Sequence, residues 1–296
     1  MVDIGGASPE TKVTVAARVS FASVDHLNER LAGVDFPVEL ALPHRYEWWQ
    51  EAAGRMDEML ACLDSLKLSV ATIHATQASI SDSHFLQWGQ ETIRVADRVG
   101  ARSVTVHPNR ARNSRADHQF AATGHLRQLQ RHSTAVFCVE TFGGKDRVFR
   151  PEELVDVKLP MTLDVAHIGD NKRILGLIDK HWRSIPVVHL SARASNCWSR
   201  RPDVPLSAEG RSEHHLPLDP FCIQVVRKLA GLGWSGTIVL EYLPHYHYRL
   251  RPDLSIVAEA LHRDIADDEL PPPCDVYRGM PEMYRHNAPP PEEATA

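Results

Sequence analysis

The sequence predicts a single (β/α)8 barrel, and three observations support this fold. Short runs of β-branched and apolar residues recur eight times, as expected for parallel strands that are buried on both faces. Amphipathic stretches with helical spacing separate these runs. No internal repeat and no interior linker divides the chain, and eight alternating strands and helices are the number that closes a barrel.

The eight predicted strands alternate with eight predicted helices from first to last. The strands cover residues 12–19, 37–42, 68–74, 103–107, 136–141, 161–164, 186–190 and 237–241. The helices cover residues 24–32, 48–66, 85–99, 115–131, 151–157, 172–181, 218–230 and 254–266. Gly100 stands where the third helix should end, and Pro151 stands at the first helical position of the fifth, where its missing N–H is tolerated.

The chain divides into one domain with a short segment at each end. We expect a flexible N-terminus over residues 1–11, the barrel over residues 12–268 and an irregular tail over residues 269–296. The tail carries two runs of three prolines and an acidic end. Such a composition buries too little apolar surface to pack as a domain of its own.

Composition limits the functions that the chain can have. A net charge of −5 gives no support for a nucleic-acid surface along the whole chain, which usually has a strongly basic balance. Five scattered cysteines without a C-x-x-C pair are typical of reduced thiols in a cytoplasmic protein. Because the chain has no apolar signal core and no apolar run of about 18 residues, we expect a cytoplasmic protein without a membrane partner.

Histidine is frequent, with 17 copies, and histidines and acids stand at the ends of the predicted strands. Six consecutive strands end in this way, on His74, His107, Glu140, Asp164, His189 and Glu241. Strand ends meet at the mouth of a barrel, where barrel enzymes carry their active sites. Carboxylates that share a half-buried cup repel one another unless protons or a cation compensate. The mixture of imidazoles and carboxylates therefore predicts a site for zinc or manganese.

Three further candidate ligands lie close to these strand ends. His167 follows Asp164 by three residues. Glu213 and His215 stand two residues apart in the loop after the seventh predicted strand. Side chains two apart in an extended segment point the same way, so Glu213 and His215 can reach one ion.

In their order along the chain, these nine residues resemble the ligand set of endonuclease IV-like proteins (AP endonuclease family 2), a branch of the xylose isomerase-like barrel superfamily. That family binds three zinc ions through the series His, His, Glu, Asp-x-x-His, His, Asp-x-His, Glu. Eight of the nine residues match in type, and Glu213 replaces an aspartate. The motifs span about residues 70–242, and Glu140-Thr-Phe-Gly-Gly is similar to the family's Glu-Asn-Thr-Ala-Gly.

The resemblance implies how the ligands divide among up to three zinc ions. The first ion would be held by His74, His107 and Glu140, which bridges to the second. The second ion would be completed by Asp164, His189 and Glu241. The third would be held by His167, Glu213 and His215. We call Glu140, Asp164, His189 and Glu241 the four-residue core, because the resemblance implies these residues in both the endonuclease and the isomerase branches.

Three departures from the family pattern bear on the substrate and on the metal count. Leu216-Pro-Leu-Asp-Pro follows the acid-x-His pair, where the family has a glycine-bearing loop. Gln77 stands where the repair enzymes of the family use a tyrosine against DNA. These two departures count against a DNA substrate, whereas the longer side chain of Glu213 predicts a third metal site that is shifted or partly occupied.

Three functions fit these residues. The first is metal-assisted hydrolysis of a phosphate ester by clustered zinc ions. The second is a sugar or sugar-phosphate isomerase or epimerase, which needs one Mn or Mg ion on the four-residue core and uses Glu140 or Glu241 as the catalytic base. His74, His107 and Glu213 favour the first, because a single-metal isomerase does not require them. The third is a metal-binding protein without catalysis, which the loss of Glu140 would have favoured.

Candidate substrate contacts surround the same mouth. Arg110 and Arg193 lie in basic loops after the fourth and seventh predicted strands, and arginine suits bidentate binding of phosphate. His245, just after the eighth strand, either lines the pocket or packs, and Tyr242 shares these alternatives. Glu39, in the second strand, either forms an ion pair with Arg18 or bonds the substrate. We expect a small phosphorylated or sugar substrate; DNA stays an alternative that the net charge does not favour.

Overall fold

The computed structural model describes residues 13–111, 114–144, 146–193, 215–266 and 269. Its eight strands are β1 (Thr14–Ser20), β2 (Val38–Ala41), β3 (Val70–His74), β4 (Ser103–Val106), β5 (Val136–Glu140), β6 (Met161–Asp164), β7 (Val187–Leu190) and β8 (Thr237–Leu240). Each strand pairs in parallel with its neighbour in chain order, and β8 pairs with β1. The predicted (β/α)8 barrel is therefore confirmed.

The described helices are α1 (Leu27–Leu31), α2 (Tyr46–Gly54), α3 (Met56–Leu66), α4 (Phe85–Val99), α5 (Arg115–Gln130), α6 (Pro151–Asp156), α7 (Val165–Ile168), α8 (Asn171–His181), α9 (Pro220–Gly231) and α10 (Leu250–Ala260). Short 3-10 turns lie at Trp182–Ser184 and Pro244–Arg249. Gly100 ends α4 in the left-handed conformation, and Pro151 is the first residue of α6. Both signals were read correctly from the sequence.

Two predicted helices were wrong in their extent. The stretch 48–66 forms two helices that meet at Arg55, next to Gly54, whose missing side chain weakens a helix interior. The last helix begins at Leu250 rather than residue 254, with Pro252 in its first turn. A proline is tolerated there, because the first N–H groups of a helix have no partner within the helix.

The main hydrophobic core lies between the barrel wall and the surrounding helices, and the inside of the barrel holds polar groups together with a small apolar cluster of Ala16, Cys138, Val187 and Val239. Leu163 packs into the main core, while its neighbours Thr162 and Asp164 are buried but polar. Inside the barrel, the hydroxyl groups of Thr105 and Thr162 are 2.8 Å apart. Because side chains alternate along a strand, the residue two before each inward-facing ligand also points inward. The strand pattern thus directs the ligands to a common interior.

Among the described residues, no helix combines the length and the apolar character that crossing a membrane requires. The predicted N-terminal segment 1–11 and nearly all of the tail 269–296 lie outside the described residues.

Candidate metal centre

Six candidate ligands come together at the carboxyl ends of the strands. Three are the last residue of a strand, namely His74, Glu140 and Asp164, and His189 is the next-to-last residue of β7. His107 and Glu241 directly follow β4 and β8. His107 is the most accessible of the six, with 15% of its side chain exposed, while the other five are buried.

His74, His107 and Glu140 form one group of potential metal donors, which we call the histidine site. The two Nε2 atoms are 3.1 Å apart, and Glu140 Oε2 is 2.5 Å from His107 Nε2 and 3.8 Å from His74 Nε2. His74 Nδ1 lies 3.2 Å from the carbonyl oxygen of Ala75 and donates to it, which leaves Nε2 with the lone pair. Burial, with help from Arg18, lowers the pKa of His74 to about 3, so the ring is neutral at neutral pH.

The four-residue core forms the second group, whose ligand atoms all lie within 4.8 Å of one another. His189 Nδ1 is 3.1 Å from Glu140 Oε1, 2.8 Å from Glu241 Oε2 and 3.7 Å from Asp164 Oδ2. Glu140 therefore faces the histidine site with Oε2 and the core with Oε1. One carboxylate in contact with both groups is the arrangement that a bridging ligand requires.

The buried oxygens of this cluster fit a bound cation. Glu140 Oε2, Asp164 Oδ2 and Glu241 Oε2 are inaccessible, and none accepts a well-oriented hydrogen bond within the described part of the chain. Buried carboxylate oxygens without such bonds are costly, and a divalent ion would remove that cost. Imidazole nitrogens mixed with carboxylates suit zinc or manganese.

Without metal, the charges of the cluster are balanced by histidines. Burial raises the pKa of Glu140, but His107, His167 and His189 outweigh it and hold that pKa well below its ordinary value. Burial lowers the pKa of His189, but Glu39, Asp164 and Glu140 outweigh it and raise that pKa well above its ordinary value. Protons on imidazole thus supply the positive charge that a bound metal ion would supply.

His167 and His215 lie at the outer edge of the cluster. The carboxylate of Asp164 accepts from the backbone N–H of His167 (2.6 Å) and caps α7, which turns the His167 ring back so that Nδ1 is 3.5 Å from Glu140 Oε1. His215 has a left-handed φ of 62°, and its Nδ1 is 3.9 Å from Glu241 Oε1. The two rings are 5.0 Å apart. Glu213 lies outside the described residues, so the third metal site stays a prediction.

Phe142, which the sequence reading did not single out, contacts the rings of His167 and His107. Its ring stacks on His167 at 4.2 Å and meets His107 edge-on at 5.7 Å. The guanidinium of Arg147 lies 4.0 Å from the Phe142 ring centroid. The signal in the sequence is an aromatic residue two positions after Glu140, where the family stretch has a small polar residue.

Arg18 and Glu39 both point into the cluster, but with partners other than those predicted. The structure pairs Arg18 with Glu241 and brings Glu39 Oε1 within 3.1 Å of His189 Nε2. Arg18 also donates to His44 Nε2 at 3.0 Å. Burial raises the pKa of Glu39, but His189, His74 and, to a smaller extent, Arg18 outweigh it and lower that pKa below its ordinary value. The carboxylate of Glu39 is completely buried among ligands.

The other predicted substrate contacts differ in how deeply they are buried. Arg193 is partly buried against Gly169, where an added Cβ would overlap its guanidinium. Arg110 is exposed and pairs with Asp146 at 3.1 Å. Tyr242 has the packing role: it is buried, its hydroxyl donates to Asp253 Oδ2 (2.8 Å), and it accepts from the Leu218 N–H. The side chain of His245 lies outside the described residues.

Comparison with known proteins gives matches in structure but none in sequence. No protein-family model matches the chain, and no curated protein matches it. A xylose isomerase domain protein from Planctomyces limnophilus superimposes over 86% of this chain and 96% of its own, with 16% identity and a TM-score of 0.56. This chain has the same (β/α)8 barrel fold as that protein.

Proteins with different reactions share this barrel fold. A D-tagatose 3-epimerase-like protein matches over 84% of this chain and 97% of its own, with 16% identity and a TM-score of 0.60. Endonuclease IV from Thermus thermophilus matches over 84% and 98%, with 19% identity and a TM-score of 0.56. Because identities this low show the fold alone, the choice between reactions rests on the site.

Proposed function

We propose that this chain is a divalent-metal-dependent enzyme that hydrolyses a phosphate ester at a multinuclear metal centre. The observation that carries the proposal is the histidine site. Two imidazole Nε2 atoms, from His74 and His107, converge on the Glu140 oxygen that faces away from the four-residue core. A single-metal isomerase needs only the core, and so it gives no role to this second group of donors.

In this proposal zinc is the resident metal. One ion would be held by His74, His107 and Glu140, and a second by the four-residue core, which shares Glu140. The proposed ligands of a third ion are His167, Glu213 and His215. When bound, such ions supply positive charge that offsets the charge developing on phosphoryl oxygens, and they lower the pKa of water towards neutrality.

The proposed substrate is a small phosphorylated molecule, bound by arginine at the mouth. Arg193 is the proposed phosphate contact, since it lies against the turn that follows Asp164 and feels the charge of that residue. Its planar fork suits two phosphate oxygens at once. Arg110 and His245 are proposed as outer contacts. Phe142 limits the access of bulk water to His167 and His107, which strengthens electrostatic interactions beneath its ring.

Hydrolysis of bis(4-nitrophenyl) phosphate and incision of an abasic-site oligonucleotide test the reaction and its substrate class. We expect zinc-dependent release of nitrophenol, and we expect His107→Ala to abolish it because the histidine site is then incomplete. His262→Ala, at an exposed position, is the control and should keep full activity. Incision of the oligonucleotide would extend the substrate class to DNA. Activity retained in His107→Ala would contradict the proposal.

The second candidate function is a sugar or sugar-phosphate isomerase or epimerase with one Mn or Mg ion. One observation favours it: the four-residue core is complete. A 3-keto-D-glucoside 4-epimerase from E. coli has a similar fold, with 11% identity and a TM-score of 0.56. Glu140 or Glu241 would then move the proton. Epimerisation of free ketohexoses with manganese, little affected by His107→Ala, would support this candidate over hydrolysis.

A further inference from the structure

Strands β1 and β2 supply none of the nine predicted ligands, yet each sends one charged side chain into the metal centre. Arg18 of β1 and Glu39 of β2 are register partners across the two strands. Glu39 is completely buried, and 11% of the Arg18 side chain is exposed. A buried charge needs a specific partner, and each of these two has a different ligand of the core as its partner.

Glu39 contacts the ring nitrogen of His189 that faces away from the other core residues. Its Oε1 is 3.1 Å from His189 Nε2, while His189 Nδ1 faces the other core residues. An ionised carboxylate only accepts hydrogen bonds, so Nε2 carries the proton and Nδ1 is the nitrogen left for a metal ion. A carboxylate on the far side of a metal-binding histidine fixes the tautomer and the orientation of the ring.

Arg18 holds Glu241 in a corresponding way. Its Nη1 forms an ion pair with Glu241 Oε1, and its Nη2 donates to His44 Nε2 at 3.0 Å. The other carboxylate oxygen, Oε2, is left facing His189 and the core. The guanidinium is thus anchored at both ends, and it leaves Glu241 one oxygen with which to bind an ion.

We infer that Arg18 and Glu39 are a matched pair of positioning residues, which preform the core by fixing Glu241 and His189 from strands β1 and β2. The inference rests on the proposed metal centre, but it does not depend on which reaction the centre catalyses. It also bears on that reaction. A Glu241 whose Oε1 is held by a guanidinium is suited to binding an ion and poorly suited to accepting a proton, which favours hydrolysis over isomerisation.

Glu39 has one competing role, as a metal ligand itself, because Glu39, His74 and His189 also bring donor atoms within 4.8 Å of one another. That role would require His189 to bind ions through both ring nitrogens. It would also take His74 Nε2 away from the histidine site, since His74 Nδ1 already donates to the Ala75 carbonyl. A positioning role satisfies the same contacts without either conflict.

Zinc affinity and zinc stoichiometry of the full chain, measured by competition with a chelator, test the Glu39 half of the inference. Loss of an orienting partner typically weakens metal binding by about 10–100-fold. We therefore expect Glu39→Ala to weaken binding by that factor and Glu39→Gln, whose amide oxygen still accepts from His189, to weaken it less. The number of zinc ions at saturation should be unchanged in both. Glu58→Gln, at an exposed ion pair with Arg55, is the matched control.

For Arg18, the direction in which zinc affinity changes on substitution tests the inference. Removing a positive charge next to a cation site should by itself strengthen cation binding. If Arg18 positions Glu241, Arg18→Met should instead weaken zinc binding by about tenfold or more, with Arg18→Lys falling between it and the wild type. Arg55→Lys, in the exposed pair, is the matched control. Stronger zinc binding by Arg18→Met would overturn this half.

Two results would overturn the Glu39 half. One zinc ion fewer at saturation in Glu39→Gln would make Glu39 a ligand, and unchanged affinity in Glu39→Ala would remove its role altogether. Nitrogen-15 NMR of the zinc-loaded protein gives a readout that does not depend on activity: the His189 ring should be protonated at Nε2. Circular dichroism of each metal-free variant checks that the barrel is folded. Zinc affinity can change in these variants whether or not the protein hydrolyses a phosphate ester. A failure of the positioning role can therefore be distinguished from a failure of the proposed hydrolysis.

Discussion

Gly169 lies directly after the turn that carries His167, and its missing side chain leaves room for Arg193. Its φ of +66° is in the left-handed region, and an added Cβ would overlap the Arg193 guanidinium. Gly233 has nearly the same φ, +65°, but no atom lies within 4 Å of a Cβ added there. The two glycines therefore differ in surroundings and not in backbone conformation.

Replacing each glycine by alanine separates these two effects. Both Gly169→Ala and Gly233→Ala place an L residue in the left-handed region, which costs roughly 1–2 kcal/mol of stability. Only Gly169→Ala displaces Arg193. We expect it alone to weaken binding of inorganic phosphate to the zinc-loaded protein, by about tenfold, the equivalent of one charge-assisted hydrogen bond. Equal phosphate affinities in the two variants would show that Arg193 does not bind phosphate.

Nearby carboxylates favour the protonated form of two histidines of the cluster. The pKa of His189 is raised well above its ordinary value, and that of His167 is also raised, because nearby carboxylates outweigh burial in both cases. A metal ion binds the neutral form of imidazole, so it has to displace these protons.

Zinc binding should therefore release protons and strengthen as pH rises. A group with a raised pKa holds its proton further up the pH scale, so apparent zinc affinity should fall as pH decreases from about 8 to about 6. Calorimetry in two buffers with different ionisation enthalpies counts the protons released per zinc ion. Zinc affinity that is independent of pH, with no proton released, would contradict this charge balance.

At the scale of the element, α7 is a single helical turn that determines where His167 points. The turn begins at Asp164, whose carboxylate accepts from the backbone N–H of His167 at 2.6 Å. Asp164 thus has two roles, as the cap of α7 and as a member of the four-residue core. The sequence reading missed α7, because four residues are too few to show helical spacing.

The two roles of Asp164 can be separated by substitution. Asp164→Asn keeps an oxygen that can cap α7 but loses the charge, whereas Asp164→Ala loses both. We expect both variants to lose core zinc, and we expect metal-free Asp164→Ala to be about 1 kcal/mol less stable than metal-free Asp164→Asn, the usual contribution of such a cap. Chemical denaturation of the metal-free proteins measures the difference. Equal stabilities would show that the cap contributes nothing.

At the scale of the whole molecule, the barrel explains why strand ends were predictable and side-chain partners were not. His74, Glu140, Asp164 and His189 each lie at or next to the end of an apolar strand, and the closed parallel sheet brings such ends together wherever the pattern occurs. An ion pair between Arg18 and Glu39 was one of the two roles predicted for Glu39, and a hydrogen bond to the substrate was the other. Arg18 contacts Glu241 because barrel closure pairs β1 with β8, whereas Glu39 reaches from β2 to His189 on β7. That reach follows from barrel closure and packing, which local spacing does not encode.

Two donor groups share Glu140, and we therefore expect the barrel mouth to hold more than one metal ion. Elemental analysis of gently purified protein, with zinc counted per chain, tests this expectation most directly. We predict at least two zinc ions per chain in the wild type and one fewer in the double variant His74→Ala, His107→Ala, with the core ion retained. The exposed-site variant His262→Ala should match the wild type. A single metal ion per chain, unchanged by the double variant, would contradict the proposed multinuclear centre.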